Sequence, residues 1–181
     1  MTDAIPTDTE LQALAERVAQ SLQQRGQMLI TAESCTGGWI AKTLTDIAGS
    51  SAWFEGGVVA YSYEAKEALL GVRHETLQQY GAVSRETVLE MARGARQALA
   101  GDFPLESIIG VSISGIAGPG GGLPGKPVGT VWFGLGTAEC EHAWCFHWRG
   151  NRIQNKRTAA RQALKLVIAY CKGTLPPDTA G

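Results

Sequence analysis

Residues 27–38 read Gln-Met-Leu-Ile-Thr-Ala-Glu-Ser-Cys-Thr-Gly-Gly, an apolar run that leads through two adjacent nucleophiles into a glycine turn. The pattern predicts a strand over residues 27–32 and a helix over about 36–47. The first N–H groups of a helix lack backbone partners and carry partial positive charge. A nucleophile at this strand-to-helix turn, either Ser34 or Cys35, therefore has donors nearby for a developing negative charge.

Strand and helix patterns alternate along most of the 181-residue chain. Apolar residues at helical spacing predict helices, and short runs rich in Ile and Val predict strands, the last two of which form a hairpin. This order predicts an α/β fold, a three-layer α/β/α sandwich with a mixed, mostly parallel sheet. The predicted helices span residues 8–25, 36–47, 63–70, 84–100 and 151–171, and the predicted strands span residues 27–32, 57–61, 106–114, 128–135 and 139–148.

The length and the charge balance fit a single domain that binds no polyanion. Since no repeat or linker divides the chain, we expect one domain over residues 1–181, with a core at about 8–172 and a disordered tail at 173–181. The 16 Lys and Arg residues nearly balance the 17 Asp and Glu residues, for a net charge of −1. This balance offers no electrostatic attraction to nucleic acid or to an anionic membrane.

The N-terminus and the cysteines indicate a cytoplasmic protein. The first six residues are polar and acidic and lack the features of a signal peptide. No run approaches the roughly 20 apolar residues of a membrane span. None of the 4 cysteines belongs to a Cys-x-x-Cys pair, so we expect reduced thiols and no zinc site.

Three polar or glycine-rich segments follow the ends of predicted strands. Ser34, Tyr61 and the glycine-rich loop after Ser114 each come just beyond such an end. In open α/β sheets, ligands bind at the carboxyl ends of the strands. We therefore expect these three segments to line one pocket.

The loop at residues 120–127 reads Gly-Gly-Gly-Leu-Pro-Gly-Lys-Pro and matches the start of a P-loop. Pro127 stands where a P-loop needs Ser or Thr for magnesium, and a predicted strand follows in place of a helix. The match therefore does not predict hydrolysis of ATP or GTP. The loop either holds a phosphate through glycine N–H groups without a metal, or it is a flexible surface connector.

Residue types alone leave the chemistry of the turn open. Cys35 needs a nearby histidine or a helix terminus to form a thiolate, and it is otherwise a small buried residue. Ser34 is either a nucleophile or the N-cap of the following helix. A serine nucleophile needs a base, and Lys66 can serve if burial lowers its pKa toward neutrality; otherwise it is a solvated surface lysine.

Four cations surround the start of the last predicted helix, where they oppose the helix dipole. This placement indicates either a bound anion or a solvated basic face. The four residues are Arg149, Arg152, Lys156 and Arg157.

Five segments of the chain together resemble the CinA C-terminal domain family. Their length and their order make the resemblance specific, and it covers about residues 8–172. Asn151 departs from an acidic residue of the family pattern and Tyr63 from a commoner asparagine, but neither change removes a proposed catalytic group. The segments lie at residues 31–38, 49–66, 81–84, 114–119 and 126–131.

The resemblance implies hydrolysis of the carboxamide of nicotinamide mononucleotide (NMN) to nicotinate mononucleotide and ammonia, within pyridine nucleotide recycling. It implies a mechanism without metal or cofactor, in which Ser34 is the nucleophile, Lys66 the base and Tyr61 a supporting hydroxyl. The expected substrate contacts are Cys35, Thr36, Gly37, Gly38, Ser114, Gly115, Gly118, Gly120 and Arg152.

A second interpretation is a domain that binds a nucleotide or a partner and keeps the pocket without turnover. The presence of both Ser34 and Lys66 favours the enzyme. For its assembly we expect a homo-oligomer, namely a dimer.

Overall fold

The computed structural model describes residues 4–179. Within that range the chain forms helices and strands in the alternating order that the sequence predicts. In chain order these are α1 (Asp8–Arg25), β1 (Met28–Glu33), α2 (Trp39–Thr45), a 3₁₀-helix (Ser50–Ala52), β2 (Phe54–Val59), α3 (Tyr63–Leu70), α4 (His74–Tyr80), α5 (Arg85–Leu99), a 3₁₀-helix (Leu105–Ser107), β3 (Ile108–Gly115), β4 (Thr130–Gly136), β5 (Glu141–His147) and α6 (Arg152–Lys172).

The strands form one mixed sheet in the order β2-β1-β3-β4-β5. β1 lies between β2 and β3 and pairs with both in parallel, whereas β4 is antiparallel to its neighbours β3 and β5. All the strands except β4 therefore run in one direction, and the carboxyl ends of β1, β2 and β3 meet at the same edge. The predicted α/β fold with a mixed, mostly parallel sheet is confirmed.

Helices cover both faces of the sheet. On one face, α1, α2 and α6 enclose a core that includes Trp53, Phe133 and Trp144. On the other face, α3, α4 and α5 enclose a second core that includes Leu77 and Met91. Since apolar side chains at helical spacing line both layers, the predicted three-layer sandwich is confirmed as well.

The backbone around the end of β1 is anchored to both neighbouring strands. The N–H of Ser34 donates to the carbonyl of Ile113 at 3.0 Å, and the carbonyl of Glu33 accepts from the N–H of Ala60 at 2.9 Å. The turn that carries the two candidate nucleophiles therefore begins from a rigid central position of the sheet.

A serine cap places α3 directly after β2. The hydroxyl of Ser62 accepts a hydrogen bond from the N–H of Ala65 at 3.0 Å, which satisfies one of the unpaired donors at the start of the helix. Lys66 consequently lies on the first turn of α3, close to the strand ends. α3 also packs closely on α5, because a β-carbon at Gly94 would lie 1.7 Å from the carbonyl oxygen of Leu70.

Two helices differ from the sequence-based expectations. α4 was not predicted, because its charged first residues are typical of a solvated loop, yet Thr76 and Leu77 on it are buried. α2 begins at Trp39, later than the predicted residue 36, because Gly38 adopts a φ of 90° and takes the N-cap position.

The sequence predicts a disordered tail at residues 173–181, whereas the structure shows hydrogen bonds between the chain after α6 and β5 as far as residue 179. The N–H of Thr179 donates to the carbonyl of Ala143 at 3.0 Å, and the indole N–H of Trp144 donates to the carbonyl of Pro176 at 3.1 Å. Residues 176–179 therefore lie along the outer edge of β5. The composition of the tail did not reveal this, because its partners are the unpaired backbone groups of an edge strand.

Candidate active site

Lys66 and Ser34 meet in the interior of the protein. The Nζ atom of Lys66 lies 2.9 Å from the Oγ atom of Ser34, and it also donates to the carbonyls of Ala60 at 2.9 Å and Tyr61 at 3.0 Å. The side chain of Lys66 is 0% exposed and that of Ser34 is 6% exposed. The structure thus brings together two of the predicted site residues, and the alternative of a solvated Lys66 is wrong.

Burial changes the acidity of this lysine. It lowers the pKa of Lys66 from 10.5 to about 8, because desolvation disfavours the ammonium form. None of the ion pairs formed between residues 4 and 179 involves Lys66. Ammonium and neutral amine therefore both occur near neutral pH.

Cys35 has the opposite environment. Its side chain belongs to the core around α1, α2 and α6. Burial, with a further contribution from the negative charge of Glu33, raises the pKa of the Cys35 thiol to about 12. The thiol therefore stays protonated near neutral pH, and Lys66 contacts the neighbouring hydroxyl. The geometry favours Ser34 over Cys35 as the nucleophile.

Glu33, which the sequence analysis did not single out, caps the N-terminus of α2. Its carboxylate accepts from the Thr36 hydroxyl at 2.6 Å, from the N–H groups of Gly38 and Ile40 at 3.1 Å each, and from the N–H of Ala41 at 2.8 Å. Negative charge is stabilised at this end of a helix. Ser34 is therefore not the cap of α2. The signal that could have identified Glu33 as the cap is a carboxylate just before the glycine turn.

Two backbone donors of the turn remain available. The N–H of Gly37 donates to the carbonyl of Ser34 at 3.0 Å, and that of Gly38 donates to Glu33. The N–H groups of Cys35 and Thr36 donate to no other residue in the described part of the chain. Of the four substrate contacts expected in this turn, Cys35 and Thr36 therefore offer free N–H donors, whereas Gly37 and Gly38 do not.

Arg152 links the ends of β2 and β3. Its guanidinium donates to the Tyr61 hydroxyl at 3.0 Å and to the carbonyl of Gly118 at 2.8 Å. The carbonyl of Tyr61 in turn accepts from Lys66, so Tyr61 contacts both basic side chains. Tyr61 is 60% exposed, in contrast to the buried Ser34.

A buried asparagine, also missed from the sequence, holds the loop beside Arg152. The Asn155 amide donates to the carbonyls of Ala117 at 3.1 Å and Gly150 at 2.9 Å, and its oxygen accepts from the N–H of Gly150 at 3.0 Å. An amide at a core-facing helix position is the signal that could have identified it. The cavity at this position measures about 540 Å³ and is lined by Ala117, Gly118, Pro119, Val128, Gly150, Asn151, Arg152 and Ile153.

Ser114 and Gly115 lie within β3, before the glycine-rich loop begins. The Ser112 hydroxyl donates to a carbonyl of α5, so Ser114, two residues further on, faces the same helix layer that carries Lys66. A β-carbon at Gly115 would lie 2.6 Å from a side-chain carbon of β4, which explains this glycine by packing. By contrast, a β-carbon at Gly120 would have no neighbour within 4 Å, so no packing contact requires a glycine there.

Residues 4–179 contain no group of three or more His, Cys, Asp or Glu side chains placed to hold a metal ion. No helix of the described chain has the length and apolar character to cross a membrane. The candidate active site is a buried Ser34–Lys66 pair, with Arg152 beside a cavity.

Fold and site together define an α/β protein with a buried serine–lysine pair at the carboxyl ends of its central strands. The family model for the CinA C-terminal domain matches residues 11–171. The chain therefore belongs to the CinA C-terminal domain family.

Curated relatives and solved structures agree with this membership. The Escherichia coli K12 protein named nicotinamide-nucleotide amidohydrolase PncC is 55% identical over 164 residues, which cover 89% of this chain and 94% of the relative. A CinA superfamily protein from Klebsiella pneumoniae 700603 superposes with a TM-score of 0.83 at 37% identity, over 90% of this chain and 98% of the other. The competence/damage inducible protein CihA from Agrobacterium tumefaciens superposes with a TM-score of 0.82 at 39% identity, over 93% and 98%.

Proposed function

We propose that the chain is a nicotinamide-nucleotide amidohydrolase that converts NMN and water to nicotinate mononucleotide and ammonia. The observation that carries the proposal is the 2.9 Å contact between Lys66 Nζ and Ser34 Oγ in a buried site. Relatives that are 55% identical over most of the chain are named for this activity. Those names support the choice of NMN as the substrate.

The contacts of Lys66 suit a general base. A neutral amine has two N–H donors and one lone pair, whereas backbone carbonyls only accept hydrogen bonds. The carbonyls of Ala60 and Tyr61 take the two N–H groups, so the lone pair is directed at Ser34. The neutral form of Lys66 therefore accepts the hydroxyl proton as Ser34 becomes a nucleophile.

Hydrolysis then proceeds in two balanced stages. Ser34 Oγ bonds to the carboxamide carbon while its proton moves to Lys66. The C–N bond breaks, and the proton passes from Lys66 to the departing nitrogen, which leaves as ammonia. Water attacks the resulting ester, Lys66 takes one proton of that water and returns it to Ser34 Oγ, and the product leaves as a carboxylic acid that releases its remaining proton to solvent. A role for the Tyr61 hydroxyl in the departure of ammonia stays a prediction.

Each tetrahedral intermediate carries a negative oxygen, which needs donors close to Ser34. The free N–H groups of Cys35 and Thr36 directly follow the nucleophile and fit this role. Loss of one such donor commonly lowers the rate by a factor on the order of 10²–10³. The glycines of the turn support the geometry, because Gly37 and Gly38 adopt φ values of 64° and 90° that other residues rarely take.

The nucleotide part of the substrate is assigned to the other side of the site. Arg152 contacts neutral oxygen atoms of Tyr61 and Gly118 and lines the cavity of about 540 Å³. A guanidinium is well suited to a phosphate group. We therefore assign the 5′-phosphate to Arg152, with N–H groups of the loop after Ser114 as further donors.

Ammonia release from NMN by the purified protein tests the proposal. We expect the wild type and Cys35→Ala to release ammonia, and Ser34→Ala and Lys66→Met to lose most of the activity. Folded wild-type protein that releases none would support the second interpretation, a binding domain without turnover. Activity that depends on Cys35 and not on Ser34 would indicate a cysteine hydrolase.

A further inference from the structure

We propose that Lys156 is a second phosphate-binding residue, which acts with Arg152 to select a phosphorylated nucleotide over the corresponding nucleoside. This inference rests on the proposed hydrolysis of NMN. It assigns recognition of the substrate phosphate to two cations of α6 in place of one.

Lys156 lies one helical turn after Arg152, so the two side chains lie on the same side of α6. The Nζ atom of Lys156 is 3.6 Å from the position of a β-carbon at Gly37 and 5.6 Å from the ring centroid of Trp39. This ammonium therefore lies over the turn that follows Ser34. Arg152 supplies a second cation at the cavity, so the pair spans the region between nucleophile and cavity.

Among residues 4–179, neither cation has an anionic partner. Lys156 forms no hydrogen bond or ion pair within residues 4–179, and Arg152 donates to neutral oxygen atoms. The next residue shows the contrast, because Arg157 pairs with Asp8 at 2.6 Å. Cations near a helix N-terminus are unfavourable unless an anion is bound. A phosphate dianion bound between the two side chains supplies that charge.

A purely structural role for Lys156 has to be separated from this one. Its ammonium lies near the Trp39 ring, and such contacts contribute to packing. Lys156→Met keeps an unbranched side chain over the ring and removes the charge, whereas Lys156→Arg keeps the charge. Lys165 is an exposed cation on the same helix, so Lys165→Met is the matched control.

Titration calorimetry in a Ser34→Ala background, which holds substrate without turnover, measures the effect on binding. NMN and nicotinamide riboside are the two probes, since they differ by the phosphate. Loss of a charged contact predicts that Lys156→Met weakens NMN binding about tenfold and leaves riboside binding unchanged. Lys156→Arg and Lys165→Met are expected to bind NMN like the Ser34→Ala parent.

Two results would overturn the inference. Unchanged NMN binding in Lys156→Met shows that the ammonium does not contact the phosphate. Equal weakening of NMN binding and riboside binding shows that Lys156 affects the shape of the site and not the recognition of the phosphate. If the wild type releases no ammonia from NMN but Lys156→Met still weakens the binding of NMN and not that of the riboside, the phosphate site is supported while the proposed hydrolysis is wrong.

Discussion

The rate of NMN hydrolysis should increase with pH until Lys66 is fully neutral. Burial lowers the pKa of this lysine to about 8, so about 9% of the protein has the neutral base at pH 7. With the ordinary value of 10.5, the neutral fraction at pH 7 would be about 0.03%. The buried position of Lys66 thus increases the active fraction by a factor of about 300.

Initial rates of ammonia release at low NMN concentration, measured from pH 6.5 to 9.5, test this reasoning. We expect kcat/KM at pH 7 to be about one-tenth of a plateau reached above about pH 9, with a slope that approaches tenfold per pH unit below pH 7. Lys66→Arg, which keeps its charge, should be inactive throughout. His74→Gln removes an exposed histidine near α3 and should leave the profile unchanged. A flat profile between pH 6.5 and 8, or an active Lys66→Arg, would refute the role of Lys66 as base.

Three further predictions concern the turn, the helix packing and the assembly. Glu33→Gln directs an amide at N–H donors of α2, so its free energy of unfolding in denaturant should be about 1–3 kcal/mol lower than that of the wild type. An unchanged midpoint of denaturant unfolding would contradict the capping role of Glu33. Gly94→Ala puts a methyl group against the Leu70 carbonyl and should lower the free energy of unfolding by about 1–3 kcal/mol in the same assay. The control is Gly56→Ala, whose added carbon meets its nearest neighbour at 3.6 Å and should therefore lower it less. Equal losses of stability in the two variants would argue against the close α3–α5 contact. Light scattering after size exclusion should give the mass of a dimer, and a monomer mass would refute the expected assembly.

The fold could be predicted from the sequence to a large extent because its signals are local. The helix predicted at residues 63–70 has the observed bounds, since Ser62 supplies the cap and Gly71 adopts the left-handed conformation after the last turn. The signals failed where structure depends on distant partners. α4 is stabilised by burial of Leu77 under other elements, and the residues after α6 are held by the edge of β5.

The candidate site was predictable in part for the same reason. The positions of Ser34 and Lys66 after two strands are readable from the chain, but the burial of Lys66 depends on how α3 packs. The same packing lowers the pKa of Lys66, and the core around Cys35 raises that of the thiol. Glu33 was missed because it looks like a strand residue until α2 begins beside it.

The central claim is that Ser34 forms an ester with the nucleotide acyl group. Mass spectrometry of protein quenched in acid during turnover of NMN tests it directly. Cleavage after Arg25 and Lys42 gives one peptide with both candidate nucleophiles, and fragmentation separates Ser34 from Cys35. We predict an added mass of NMN less ammonia on Ser34. The same mass on Cys35, or wild-type turnover by Ser34→Ala, would contradict the claim.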